Sequence, residues 1–117
     1  MELVPLEVDD DIHVFRADGG IDSRTADGFF EQASRLVEGG AHKLIIDCSD
    51  LDVVSSAGLA ALLRLHARLR TLGGDVRLAA VPGVIAQILR VTHLDRIFEL
   101  HEDVSRAKLS FRPRHDA

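Results

Sequence analysis

The chain has 117 residues, of which 46% are hydrophobic, and its formal net charge is −5 at pH 7. This length suits one domain with one compact core, which must be aliphatic because the chain has five phenylalanines and neither tryptophan nor tyrosine. Lysines and arginines are spread along an acidic chain and no apolar run approaches the length of a membrane span, so we expect neither nucleic-acid binding nor direct membrane insertion.

Cys48 is the one cysteine of the chain, so no intrachain disulfide can form. Because it lies within an apolar run, we expect a small buried side chain and not a reactive thiol. The acidic N-terminal segment lacks the basic start of an export signal. These features predict a cytoplasmic protein.

The first two predicted elements are strands. Residues 3–8 can form a short strand, and Pro5 within it favours the edge of a sheet. Residues 12–17 are rich in strand formers, and Gly19-Gly20 predicts a turn directly after them.

A helix is predicted to begin near Thr25 and to end at Gly39-Gly40. Five apolar residues lie on one face of it: Phe29, Phe30, Ala33, Leu36 and Val37. Residues 43–48 then include the unbroken apolar run Leu44-Ile45-Ile46, which is typical of a strand covered on both faces in a parallel sheet. Residues 50–56 are interpreted as a connection.

The clearest helix follows this connection and ends near Gly73-Gly74. Its predicted core face carries four leucines: Leu59, Leu62, Leu63 and Leu69. Residues 76–81 predict a second buried strand, and Pro82 then opens a short helix. The apolar side of that helix is predicted to hold Val84, Ile85, Ile88 and Leu89. A brief strand at residues 97–100 and a helix at residues 103–109 complete the pattern.

Strands that alternate with helices predict an α/β fold. We expect a sheet of four or five strands, mostly parallel or mixed, with right-handed crossovers that pack helices against it. One domain is predicted for residues 1–109, and residues 110–117 are predicted to form a flexible C-terminal tail.

The loop before the clearest helix is the leading candidate site, since strand-to-helix loops usually carry function in α/β domains. Ser56 is predicted to cap the N-terminus of this helix. A phosphate on Ser56 would be tolerated by the positive end of the helix dipole. Its charge of about −1.5 to −2 would oppose the binding of a partner to the apolar surroundings.

Catalytic and cofactor motifs are absent from the sequence. Val54 occupies the first glycine position of a G-x-S-x-G nucleophile elbow around Ser56, and no phosphate-binding glycine loop occurs. The six histidines show no metal-binding spacing. We therefore expect no enzyme activity, no metal and no cofactor. A small hydrolase that uses Ser56 would need an activating base, for which the sequence offers no candidate.

Residues 50–60 (Asp-Leu-Asp-Val-Val-Ser-Ser-Ala-Gly-Leu-Ala) resemble the D-L-x-x-[hydrophobic]-D-S-[ST]-G-L-G segment of STAS domains, and most closely that of the bacterial anti-sigma-factor antagonists. Residues 19–26, 73–78 and 92–98 are similar to further segments of the same family, in the same order and spacing. The resemblance covers roughly residues 10–109 and is therefore much more specific than any single motif.

The resemblance implies a STAS-type fold and a partner-switching role. In that role the unphosphorylated domain binds an anti-sigma factor that is also a serine kinase, is released when the kinase phosphorylates it, and is reset by a serine phosphatase. By position, Ser56 matches the phosphate acceptor and Asp22 matches a residue of the kinase-facing surface. The predicted partner-binding residues are Asp22, Ser55, Ser56, Ala57, Gly58, Leu59, Ala60 and Arg64.

Two residues depart from the family pattern. Ser55 stands where the family has aspartate, and Ala57 stands where it has serine or threonine. Ser55 is therefore the alternative acceptor, and Asp22 has an alternative role in stabilising its own turn. The departures also leave a second function open, that of a STAS subunit in a lipid-transporting ABC assembly that acts by protein contact without phosphorylation.

Overall fold

A computed structural model describes residues 1–112, which form a mixed sheet flanked by four helices. The strands are β1 (Glu2–Asp9), β2 (Ile12–Ile21), β3 (Lys43–Asp47), β4 (Leu51–Val54), β5 (Asp75–Ala79) and β6 (Leu100–His101). The helices are α1 (Ala26–Glu38), α2 (Ser56–Thr71), α3 (Gly83–Val91) and α4 (Val104–Phe111), with a 3₁₀ turn at Leu94–Arg96. The α/β class is confirmed, and one more strand is present than the upper predicted number.

The sheet has the order β1-β2-β3-β5-β6, and β4 pairs separately with β2. β1 is antiparallel to β2 and forms the predicted edge strand, with a bulge between Pro5 and Glu7. The other pairs are parallel, so the C-terminal ends of β2 to β6 lie along one edge. That edge therefore carries every strand-to-helix loop of the parallel part.

Two apolar cores cover the two faces of the sheet. Phe29 of α1, Leu65 of α2 and Leu89 of α3 pack on one face in the larger core. Ala107 of α4 packs on the other face in a smaller core that includes Ile45. β3 is thus covered on both sides, as its unbroken apolar run predicted, because alternate strand residues point to opposite faces.

Several boundaries differ from the sequence predictions. β2 continues through Gly19-Gly20 to Ile21 instead of turning there, since these residues pair with β4. Residues 50–56, interpreted as a connection, contain that fourth strand. β5 ends two residues early, before Ala80, which has a left-handed φ of 53°. β6 is only two residues long and overlaps the predicted segment 97–100 at Leu100 alone.

Side-chain burial also corrects one helix face. Ile85 and Leu89 of α3 are buried as predicted, but Val84 is 76% exposed at the start of this helix. The last helix, α4, runs to Phe111 and so includes two residues that were assigned to the tail. Arg112, also assigned to the tail, pairs with Asp9 at 2.7 Å, and residues 113–117 lie outside the described residues.

Candidate functional site

The start of α2 differs by one residue from the prediction. Ser55, and not Ser56, is the N-cap: its backbone is extended and its Oγ accepts a hydrogen bond from the Gly58 N–H at 3.4 Å. Ser56 is the first helical residue and its side chain is exposed. The capping and the exposure expected of one serine are therefore divided between two neighbours.

The carbonyl oxygen of Ile21, at the end of β2, fixes the position of the start of α2. It accepts a hydrogen bond from the Ser55 N–H at 3.0 Å. Gly58 packs directly on the same carbonyl group, and a Cβ there would overlap the Ile21 oxygen and lie 3.0 Å from the Ile21 carbonyl carbon. Gly58 is buried, so it serves the site by allowing this close approach.

A second glycine allows β2 and β4 to approach one another. A Cβ on Gly20 would lie 2.5 Å from Cγ1 of Val53, closer than real Cβ contacts are found. The backbone N–H of Gly19 also donates to Asp50 at 3.2 Å. The last residues of β2 therefore fix the strand that leads into Ser55.

Asp22 follows Ile21 and closes the adjacent turn. Its Oδ1 accepts hydrogen bonds from the backbone N–H groups of Arg24 at 2.8 Å and of Thr25 at 3.2 Å. These bonds, with that from Arg24 the strongest, hold the pKa of the Asp22 carboxyl below its ordinary value. The turn-stabilising role proposed as an alternative for Asp22 is thus present in the structure.

Thr25 completes this turn through its hydroxyl group. Thr25 Oγ1 donates to the Gly20 carbonyl at 2.7 Å and accepts from the Asp22 N–H at 2.9 Å. The two bonds join Thr25 to the residues on either side of Ile21, whose carbonyl accepts the hydrogen bond from the Ser55 N–H. Asp22 and the Ser55-Ser56 pair, which are more than thirty residues apart in sequence, are therefore adjacent in the fold.

The side chains around Ser56 are mostly small and largely apolar. Val53 is 47% exposed, Ala60 is exposed, and Ala57 and Leu59 are half-buried. Arg64 lies further along α2, where its guanidinium stacks over the Phe30 ring of α1 at 4.0 Å from the centroid. Arg64 is thus partly engaged within the protein and borders the exposed face of α2.

The electrostatics at the start of α2 favour an added anion. The first turn of this helix contains no acidic residue, while its last turn contains Arg68 and Arg70. The first N–H groups of a helix lack intrahelical acceptors, and the helix dipole is positive there. Because Ser55 stands in place of an aspartate, the cap position itself carries no charge. The Asp22 carboxylate lies in the adjacent turn, where two backbone N–H groups hold it.

Ser56 lacks the arrangement of an activated nucleophile within residues 1–112, because no histidine or carboxylate forms a hydrogen bond with its hydroxyl. In the same part of the chain, no group of three or more His, Cys, Asp or Glu side chains could hold a metal ion. No helix between residues 1 and 112 is both long enough and apolar enough to cross a membrane.

Two contributors to the site were missed from the sequence. Thr25 was interpreted as a helix start, although its position three residues after Asp22 is a spacing that turn-forming side chains use. Val53 was treated as part of a connection, although it belongs to a strand whose side chains alternate in direction. Neither signal would have shown that both residues meet at the end of β2.

Comparison with known proteins identifies relatives of this fold. The family model described as the STAS domain matches residues 4–107. An anti-sigma factor antagonist from Mycobacterium paratuberculosis is 24% identical and superposes with a TM-score of 0.82, covering 96% of each chain. A sulfate transporter family protein from Wolinella succinogenes is 15% identical, with a TM-score of 0.74 over 89% of this chain and 90% of that one.

The anti-sigma factor antagonist SpoIIAA, a Bacillus cell fate determinant, is similar in two states. In its unphosphorylated form it is 15% identical and has a TM-score of 0.78, covering 98% of this chain and 100% of its own. Its phosphorylated form is 16% identical, with a TM-score of 0.71 over 95% and 100% of the two chains. Since the STAS model matches nearly the whole described chain, this protein belongs to the STAS domain family.

Proposed function

We propose that this protein is an anti-sigma-factor antagonist that works by partner switching. In its unphosphorylated form it binds an anti-sigma factor that is also a serine kinase. Phosphorylation of Ser56 releases it, and a serine phosphatase restores it. The domain acts as a binding module in the cytoplasm, without catalytic chemistry of its own.

One observation carries this proposal: Ser56 is exposed at the first position of α2, while Ser55 provides the cap. A phosphate can be attached to Ser56 without removing the hydrogen bond between Ser55 and Gly58. The uncompensated N–H groups and the dipole of α2 tolerate the added charge. Modification at Ser56 therefore changes the surface and leaves the fold intact, as a reversible switch requires.

The apolar character of the surroundings explains why the modified form would dissociate. A partner that covers Val53, Ala57 and Ala60 must remove water from Ser56 as well. A group with a charge of about −1.5 to −2 would lose its hydration there and oppose association. We place the partner-binding surface on these residues together with Asp22, Leu59 and Arg64.

The comparisons support this proposal through the fold. SpoIIAA, which has the same fold, is described in phosphorylated and unphosphorylated forms and as an anti-sigma factor antagonist. Its sequence identity to this chain is low, so the likeness supports the fold and makes the switch a reasonable hypothesis to test.

The test uses the full chain and the serine-kinase-like regulator from the same genome. Incubation with ATP and Mg²⁺, followed by mass spectrometry, should locate a phosphate on Ser56, and Ser56→Ala should remove it. Binding measured by calorimetry should weaken by about tenfold or more in Ser56→Asp, which corresponds to about 1.4 kcal/mol. Phosphate on Ser55 instead would move the acceptor by one residue.

Ser105→Asp is the matched control. Ser105 is an exposed serine in the first turn of α4, on the opposite face of the sheet. Its substitution adds the same charge at a comparable helix start and should leave binding unchanged. Equal affinities for Ser56→Asp and the unmodified chain would contradict the proposed switch.

A second function is favoured by Ser55 and Ala57, which replace the polar or acidic neighbours that the family carries beside the acceptor. In this alternative the domain is a non-phosphorylated accessory subunit of a membrane transport assembly, such as a lipid ABC transporter. Stable binding to transporter components, with no phosphate on either serine, would select it.

A further inference from the structure

The helix α3 carries an exposed apolar stripe. Val84 is 76% exposed and Val91 is 67% exposed, while Ile88 is half-buried. The three residues lie at positions i, i+4 and i+7 and therefore share one face of the helix. Ile85 and Leu89 already attach α3 to the larger core. The stripe, which we call the α3 stripe, is thus available for contacts outside the domain.

The α3 stripe lies on the flank of α3 that faces α2. Ala86 and Arg90 line a hollow beside β6, and the helical period places the stripe on the opposite flank. Beneath that flank, Ile85 and Leu89 share a small apolar cavity of about 10 Å³ with Leu59 of α2. A groove between α2 and α3 therefore lies above this cavity, with the α3 stripe as one wall.

Two leucines of α2 form the other wall. Leu59 and Leu63 are half-buried and lie one turn apart on the same flank of this helix. His66 follows on that flank and packs edge-on against Phe98, with ring centroids 5.5 Å apart. Because Phe98 comes shortly after α3 and its 3₁₀ turn, this flank of α2 faces α3. We call the surface formed by Leu59, Leu63 and the α3 stripe the α2–α3 groove.

The two helices of the groove carry no acidic residue. The chain has 19 Asp and Glu residues against 14 Lys and Arg, yet α2 and α3 contain arginines and no carboxylate. Arg90 donates to the neutral amide of Gln87 at 3.1 Å, and Arg64 stacks on Phe30, and neither has an ion-pair partner within residues 1–112. Since Arg64 lies on the α1 side and Arg90 on the β6 side, an uncompensated positive charge borders each side of the groove.

We propose that the α2–α3 groove binds an acidic amphipathic helix of a protein partner. The α3 stripe spans two helical turns, which suits a helix with apolar side chains at i, i+3 or i+4, and i+7. Acidic side chains at the edges of that helix pair with Arg64 and Arg90. Leu59 also belongs to the surface proposed around Ser56, so the inference rests on the proposed function for the identity of the partner. The chemistry of the groove does not depend on phosphorylation.

The test is a titration of the ¹⁵N-labelled full chain at pH 7 with a synthetic amphipathic peptide of about 18 residues. One face of the peptide carries leucines and the other carries glutamates. The amide signals of Leu63, Val84, Ile88 and Val91 should shift and saturate, with a Kd below about 1 mM. Val91→Glu should weaken binding by about tenfold or more, because it places a carboxylate in the apolar wall and against the glutamates of the peptide.

Leu109→Glu is the matched control, since Leu109 is 68% exposed on α4, which covers the other face of the sheet. It adds the same charge and should bind the peptide as the unchanged chain does. A second peptide, with lysine in place of each glutamate, should bind about tenfold more weakly or not at all.

Four outcomes would overturn the proposal: no saturable shifts, an unchanged affinity in Val91→Glu, an equal loss in Leu109→Glu, or equal affinities for the two peptides. Well-dispersed spectra of both variants would exclude unfolding as the cause of any loss. The titration uses neither kinase nor ATP, so its failure would leave the proposed switch at Ser56 standing, and failure of the switch would leave the groove standing.

Discussion

Replacement of Gly58 by alanine should destabilise the protein, although alanine is the better helix former. The added Cβ would overlap the carbonyl oxygen of Ile21 and approach Cγ1 of Val54 to 3.0 Å. Overpacking against a fixed backbone costs about 1–3 kcal/mol, and the gain in helix propensity returns at most about 1 kcal/mol. We expect a net loss of about 1–2 kcal/mol, which lowers the Tm by about 4–10 °C in a domain of this size.

Gly28→Ala provides the matched control. Gly28 is the third residue of α1, as Gly58 is of α2, but nothing lies within 4 Å of a Cβ built there. Without a clash, only the propensity remains, so this variant should gain about 0.5–1 kcal/mol. Urea unfolding of both variants measures the two effects. If both substitutions raise stability, the close packing of α2 on Ile21 is refuted.

Four further predictions concern single side chains. Ser55→Ala should lower the free energy of unfolding by about 0.5–1 kcal/mol through loss of the cap. Ser56→Ala should leave the free energy of unfolding unchanged in the same urea titration. A loss of stability in Ser56→Ala and none in Ser55→Ala would move the cap to Ser56. Ser34 carries a buried hydroxyl without a hydrogen-bond partner in residues 1–112, so Ser34→Ala should raise the Tm, and a lower Tm would indicate an unseen partner. Burial, with a smaller contribution from a nearby carboxylate, raises the pKa of the Cys48 thiol to about 12. A thiol reagent at pH 8 should therefore label Cys48 only after unfolding. Rapid labelling of the native protein would contradict this prediction. The lowered pKa of Asp22 implies that its carboxylate stabilises the fold fully above the pKa of the unfolded state, about 3.9. This contribution disappears as the pH falls through the lower pKa of the folded state. Asp22→Asn should therefore flatten the pH dependence of stability in that acidic window.

The elements with strong local patterns were predictable from the sequence. The apolar face of α1 repeats with helical spacing, and Gly39-Gly40 ends that helix as expected. The run Leu44-Ile45-Ile46 indicated a strand buried on both faces, which the two cores confirm. These signals are local because they depend on the periods of the helix and the strand.

The N-cap of α2 shows the limit of local patterns. Ser55 and Ser56 have the same side chain and lie next to each other before the same helix, so cap propensity cannot distinguish them. The choice was made by the hydrogen bond from the Ser55 N–H to Ile21, a residue of a distant strand. That bond holds Ser55 in an extended conformation and leaves Ser56 as the exposed first residue of the helix.

By itself, the sequence determined the α/β class, the order of most elements, and the position of the candidate site before α2. These follow from hydrophobic periodicity and from turn residues, which act over a few neighbours. Only the tertiary structure decided that residues 51–54 form a strand, that Gly58 packs on Ile21, and that Asp22 lies beside Ser55. The reason is physical: each of these features depends on contacts between segments that are far apart in the chain, and no local pattern encodes such distances.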